Sequence, residues 1–299
     1  MVALLSQVIT GLAVGAAYSL IAVAVVLIYS GTKTLSIAMG EIGAFGLFVG
    51  LHWRANAVPG TDYHPSALMA GVIAVVLGAL LGLVVERVVM RPLVRRPPLD
   101  GLIATLGVAL LLALLELKMF GADPVPAPSP VGKGVVEVLD APLPATRVAA
   151  FVLAVIVAIA LFLFLTRTKF GLATRAATSD PTVARLLGVK VNSVYMFAWG
   201  VGGALSGLAA AVLAPAFGNL TPFAQTQFSL RALAGAVIGG LDSVWGAIVG
   251  SLLVGIVETV VQSNVDSSQN GYASMAVLVL VLGTLLVRPR GILGTTGVA

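Results

Sequence analysis

Apolar runs succeed one another along the chain with only short polar connections between them, and this alternation limits the fold more than any motif does. Positions 4–29 and 66–90 are each long enough to cross a hydrocarbon core about 30 Å thick. Inside lipid the backbone has no water to bond, so such runs must satisfy their own amide groups as helices. Of all residues, 59% are hydrophobic and only 10% are charged, where soluble domains carry about 25%. The expectation is an all-α polytopic membrane protein. One transmembrane domain spans residues 1–299, with about eight to nine crossing helices, short or broken ones included. The first run opens MVALLSQVITGL, which lacks a basic start and stays apolar too long for a secretory signal, so it is expected to be a retained helix.

In chain order, the run 4–29 carries Gly11 and Gly15 at a spacing that permits close helix contact. A turn at Ser30–Lys33 leads to a shorter segment, 35–51, loaded with Gly40, Gly43, Gly46 and Gly50 and carrying Glu41. Residues 66–90 and 101–117 flank a basic, Pro-rich turn, RPLVRRPP. The long connection 120–146 is rich in Pro and Gly, and its fragment GKGVVEVLDAP has the pattern of a small hairpin. After 147–166 comes a polar stretch, 167–192, and then 193–214 with Gly203 and Gly207, a short run at 228–241, and two last runs, 244–261 and 272–287.

The stretch 167–192 holds five basic residues and a miniature helix with full punctuation. Asp180 suits the N-cap, Pro181 the first turn and Gly188 the stop. Val183, Leu186 and Leu187 then share one face. Such a face fits either lipid headgroups or a groove on a partner protein.

Sidedness follows from basic residues. If this stretch is cytoplasmic and every run crosses, the inside holds twelve: Lys33, Arg87, Arg91, Arg95, Arg96, Arg167, Lys169, Arg175, Arg185, Lys190, Arg288 and Arg290. The outside holds five: Arg54, Lys118, Lys133, Arg147 and Arg231. The opposite orientation inverts the bias, so the N-terminus is expected outside and the C-terminus in the cytoplasm. The net charge of +5 is spread over these loops rather than gathered in a patch, which argues against nucleic acid.

Catalytic chemistry is not signalled. Cysteine is absent, which excludes disulfides and thiolate sites, and two separated histidines do not suggest a metal centre. The acids are too scattered for a catalytic dyad, and neither a HExxH motif, a nucleophile elbow nor a phosphate-binding GxxxxGK[ST] loop occurs. No cofactor is expected. Three acids fall in or near apolar runs. Glu116, beside Lys118, and Glu258, near the turn at Gln262, read as interfacial, whereas Glu41 reads as a residue near the inner interface favoured by the helix dipole or as part of a gate. The short, Gly-rich runs 35–51 and 228–241 point to a solute route, because broken helices expose backbone to a cavity. Tight packing explains the same glycines. A translocator without its own energy source must borrow one, which points to a separate ATPase.

Several segments together resemble one family. RAATSDPTVARLLGVKVNSVYMFAWGVGGALSGLAAAVLAP, GLAVGAAYSLIAVAVVLIYSGTKTLSIAMGEIGAFG, AGAVIGGLDSVWGAIVGSLLVGIVETV and LLVRPRGILG resemble the permease subunits of branched-chain amino acid ABC importers. The resemblance implies a coupling loop to the ATPase, carried by Arg175, Ala176, Ala177, Asp180, Pro181, Val183, Ala184, Leu186, Leu187, Gly188 and Asn192. Together with the run lengths it points to a translocation pathway at Ser36, Met39, Gly40, Glu41, Gly43, Gly239 and Gly240. The implied partners are cytoplasmic ATP-binding subunits, a second homologous permease subunit and an extracytoplasmic solute-binding protein, in a bacterial cytoplasmic membrane. The alternative is a stand-alone secondary carrier or channel. Ser36-Ile37-Ala38-Met39-Gly40-Glu41 stands where the family usually has Asn-Phe-Ala-His-Gly-Glu, so two polar groups are lost. Relatives carry branched-chain amino acids but also urea, short amides and other small solutes.

Overall fold

The computed structural model describes residues 2–94, 96–129, 132, 134–138, 141–265 and 271–294. Within them the chain is a helical bundle with two small β-ribbons at one end. Helix α1 (Val2–Thr32) is followed by α2 (Met39–Asn56) and α3 (Ala67–Val85). A π-helical turn (Glu86–Met90) then joins α3 to the short α4 (Arg91–Leu93). Beyond α5 (Pro98–Phe120) the chain forms β1 (Val125–Pro126), β2 (Val135–Val138) and β3 (Ala141–Pro144). Next come α6 (Ala145–Arg167), α7 (Lys169–Ser179), α8 (Pro181–Leu186) and α9 (Val191–Phe217). The last elements are β4 (Asn219–Leu220), α10 (Ala224–Gly239), α11 (Val244–Asn264) and α12 (Tyr272–Val287). Among the described residues, six stretches are long and apolar enough to cross a membrane: Ser6–Thr32, Ala67–Leu93, α5, α6, α9 and α11.

Helix starts follow their caps. Ser66 accepts a hydrogen bond from the Met69 amide at 3.2 Å, and Ser243 from Gly246 at 3.0 Å, each satisfying one of the free amides of a first turn. The hairpin expected from GKGVVEVLDAP is present as the antiparallel β2–β3 pair, Val135 opposite Pro144 and Val138 opposite Ala141; residues 139–140 of its turn lie outside the described residues.

Helix α1 is the axis. Its spanning stretch is 89% buried, against 18% for α6 and 28% for α5 at the periphery. Small residues let its neighbours approach, as the Gly11/Gly15 spacing predicts. A Cβ on Gly11 would stand 2.6 Å from the Ile256 Cα, and one on Gly15 2.7 Å from the Leu252 Cα, both on α11. The outward faces of the peripheral helices carry exposed Leu, Val and Ile, among them Leu80, Leu110 and Ile156, as lipid contact requires.

Contacts at the helix ends define two faces. Lys33, just past α1, pairs with Asp242 at 3.3 Å, and the C-terminal tail folds back beside them. There the Ile292 and Leu293 amides bond the Ile238 and Gly239 carbonyls at 2.8 and 2.9 Å. On the opposite face Asn264 donates to Gln7 at 3.1 Å, and β1 pairs with β4.

Within the segment 35–51 the helix begins at Met39, with Glu41 in its first turn as expected, and residues 33–38 before it are non-helical. This extended piece runs beside α5, where Thr105 bridges it, accepting from the Ile37 amide and donating to the Leu35 carbonyl, both at 3.4 Å. Non-helical backbone at such depth is tolerated because protein covers it, with Ser36 and Ala38 buried.

Candidate coupling and translocation site

The polar stretch between α6 and α9 folds as two helices rather than one. Thr168 caps α7 by accepting from Gly171 at 3.0 Å. The sequence reading missed α7 because the stretch KFGLATRAATS is short and low in overall hydrophobicity, although its residues keep a helical period. The second helix is as expected: the Asp180 carboxylate accepts from Thr182 at 2.7 Å and Val183 at 3.0 Å, Pro181 opens the helix, and Gly188 closes it at φ +84°.

Their packing sorts the coupling residues. Ala177 and Ala184 are buried against Val191, Val194 and Tyr195, which fixes the pair of helices to the start of α9. Ala176 is half-buried, whereas Arg175 and Asn192 are exposed. Val183, Leu186 and Leu187 turn away from the bundle, with Leu186 82% and Leu187 75% exposed. Two adjacent leucines are thus exposed side by side on a polar loop. Beside them opens a cavity of about 410 Å³, bordered by Lys33, Glu86, Arg96, Ala177, Pro181 and Tyr195.

A second cluster lies inside the bundle, where α2 and α10 begin. Glu41, in the first turn of α2, accepts from the hydroxyl of Thr226, in the first turn of α10. Helix α5, which packs against α2, carries a second buried acid, Glu116. Both glutamates are fully buried. Two helix N-termini thus converge on Glu41, and their partial positive charge suits an acid. Gln225 and Ser229 are also buried, and their side-chain polar atoms have no partner among the described residues. Glu116 was read as interfacial because Lys118 stands near it. Two positions along a helix point to opposite faces, however, so Lys118 is exposed while Glu116 turns inward.

Glu258 is likewise internal. It bonds the Arg231 guanidinium at 2.7 Å and accepts from the Tyr18 hydroxyl at 3.0 Å, tying α11 to α10 and α1. Arg231, counted as an outside charge from the sequence, is therefore a bundle residue. Its guanidinium also lies 5.8 Å from the centre of the Phe228 ring.

The expected pathway residues are all in the interior, but they do different things. Ser36, Met39 and Gly40 are buried around the polar cluster; a Cβ on Gly40 would fall on the Ser229 hydroxyl. On Gly43 it would fall on the Ser206 carbonyl of α9, and on Gly239 on the Gly246 carbonyl of α11. Gly240, at φ +110°, packs against Gly294 and Arg290 of the tail. At Gly43, Gly239 and Gly240 the close approach of backbones accounts for the glycine. Among the described residues no three His, Asp or Glu side chains gather as a metal-holding group.

Comparison with known proteins accords with this architecture. Residues 7–287 match the family described as branched-chain amino acid transport system, permease component. The chain is 29% identical to the high-affinity branched-chain amino acid transport system permease protein BraD of Pseudomonas aeruginosa, over 97% of this chain and 95% of that one. LivH of Escherichia coli K12, a permease protein of the same description, gives the same identity and coverage. The ribose import permease protein RbsC of Bacillus subtilis is 35% identical over 38% of this chain and 34% of its own. Among solved structures, PsaBC from Streptococcus pneumoniae in complex with Fab shares the fold, with a TM-score of 0.51 at 13% identity, covering 94% of this chain and 91% of that one. With its match running almost from end to end and its helices packed as described, the chain belongs to the family of branched-chain amino acid transport permease components.

Proposed function

We propose that this chain is a membrane-spanning permease subunit of an ATP-driven importer for branched-chain amino acids or a related small organic solute. It forms the translocation pathway together with a second, homologous permease subunit. The observation that carries this reading is similarity over nearly the whole of both chains to transport permeases of that description. ATP hydrolysis belongs to separate cytoplasmic subunits, which dock on the exposed face of α8, and an extracytoplasmic binding protein delivers the solute. The pathway runs past the polar cluster at Ser36, Met39, Gly40 and Glu41. The setting is a bacterial cytoplasmic membrane, crossed nine times: by the six long stretches and by α2, α10 and α12, with the N-terminus outside and the C-terminus inside.

Reconstitution tests the function. Proteoliposomes holding the chain with its partner permease, ATPase subunits and binding protein are expected to accumulate labelled leucine, or another small solute the binding protein accepts, only when ATP is supplied to the ATPase side. A second reading, a carrier working alone, draws support from the buried acids Glu41 and Glu116, since ion-coupled carriers place acids inside the bundle. Solute uptake by the chain alone, driven by an ion gradient, would establish that second reading and overturn the first.

Orientation has its own test, helped by the absence of native cysteine. Thr61→Cys, in the exposed loop after α2, is expected to react with an impermeant thiol reagent added outside intact cells. Thr182→Cys, exposed on α8, is expected to react only after the membrane is opened. The reverse pattern places the α8 face outside and removes the ATPase from the scheme.

A further inference from the structure

We propose that the groove between α10 and α12 is a solute-recognition subsite, in which the Arg231 guanidinium receives the carboxylate of a small aliphatic amino acid. The assignment rests on the transport reading above and narrows its solute to one that carries a carboxylate, rather than urea or a neutral amide. The groove has a volume of about 650 Å³, within the range of small-molecule sites. Among the described residues Arg231 is its only charged side chain, so it favours a negative group. Two further polar side chains border it, Gln227 one turn before Arg231 on α10 and Ser274 in the first turn of α12. Their amide carbonyl and hydroxyl oxygens are acceptors suited to an ammonium group. Farther along both helices the walls are apolar, with Ala234 and Val237 on α10 and Val281 on α12. A polar end and a greasy end match the two ends of an aliphatic amino acid.

The ion pair with Glu258 does not use the guanidinium up. Its Nε meets Oε1 of Glu258 at 2.7 Å, while Oε2 accepts from the Tyr18 hydroxyl at 3.0 Å. A guanidinium carries more N–H donors than one carboxylate, already shared with a tyrosine, can take. The pairing and the nearby Phe228 ring hold the group in place while its side chain stays partly exposed at the groove. A fixed fork is what bidentate recognition of a carboxylate requires. Depth points the same way. Tyr18 stands near the middle of the spanning stretch Ser6–Thr32, so the residues bonded to it lie at the level of the bilayer core. A charge that reaches an open groove there is costly against hydrocarbon and is tolerated where the groove holds water or a polar solute. A purely structural tie between α10 and α11 accounts for Arg231 but not for Gln227 and Ser274, which border the same space outside that tie.

The complete transporter, reconstituted with its partner permease, ATPase subunits and binding protein, tests this, and the absence of native cysteine in the chain gives it a probe. Leu278→Cys, exposed at the groove on α12, is expected to be alkylated more slowly when L-leucine is present in excess. Leucinol, which keeps the side chain and the ammonium group but lacks the carboxylate, should leave the rate unchanged. Protection by neither compound, or by both alike, overturns the proposal. Adding Arg231→Met and Glu258→Leu to this background leaves no stranded charge. It is expected to abolish the protection and to lower ATP-driven leucine uptake about tenfold or more, as loss of a charged hydrogen bond implies, while Tm and co-purification with the ATPase subunits hold. Uptake at the wild-type rate in that variant overturns the proposal equally. ATP-driven uptake of urea or acetamide without uptake of leucine would overturn this assignment and leave the transport reading standing, whereas uptake without ATP overturns that reading itself. Should the Arg231→Met, Glu258→Leu protein not fold, the alkylation rates of Leu278→Cys alone still decide.

Discussion

A chain carrying Leu186→Asp and Leu187→Asp is expected to reach the membrane, fold, and transport nothing. Both positions point away from the bundle, 82% and 75% exposed, so the substitutions remove no internal contact. Helix α8 itself survives, because its start is fixed by Asp180 and its attachment by Ala184. What changes is the surface offered to a partner. A carboxylate pressed unpaired into an apolar groove costs roughly 3 kcal/mol or more, which weakens association about 100-fold or further. Co-purification with the ATPase subunits and solute uptake should therefore fall together while expression and Tm stay unchanged. Normal co-purification and uptake in the double variant would mean that α8 merely lies on lipid.

Glu258→Ala should do the opposite, damaging the fold rather than the coupling. It strands Arg231, whose side chain is only 20% exposed, and deprives Tyr18 of its acceptor. Breaking one partner of a buried pair costs about 3–5 kcal/mol, because the remaining charge is left without compensation. For a bundle of this size that corresponds to a Tm lower by roughly 10 °C. Replacing both partners, as in Arg231→Met with Glu258→Leu, removes the stranded charge and should recover most of the loss. Thermal unfolding of the three variants measures this. A Glu258→Ala protein as stable as wild type would show that the pair contributes nothing.

The bundle itself is legible in the sequence because lipid leaves so few choices: apolar runs of sufficient length become helices, and Gly11, Gly15, Gly203 and Gly207 announce where helices touch. The capping of α8 is legible for the same local reason, with Asp180, Pro181 and Gly188 each in a position only a helix explains. What escapes is whatever depends on distance along the chain. Arg231 and Glu258 sit on different helices, and nothing local in either run says that one will neutralise the other. Glu41 and Glu116 lie farther apart still. A signal did exist for the second of these, since residues two apart on a helix differ by about 200° in direction and an outward Lys118 favours an inward Glu116, but proximity in sequence was read as proximity in space. The break at residues 33–38 carries no Pro, so its extent beyond the expected turn at Ser30–Lys33 emerges only from its packing against α5.

The returning tail has a consequence for how the molecule is made. The amides of Ile292 and Leu293 cap the carbonyls of Ile238 and Gly239, and Gly240 lies against Arg290 and Gly294. A ribosome completes α10 long before it reaches those residues, with α11 and α12 still to be synthesised. Until then α10 ends in bare carbonyls. Insertion and closure are thus separate events in the life of the chain: the helices enter the bilayer in the order they are translated, whereas α10 is locked only after its two successors are in place.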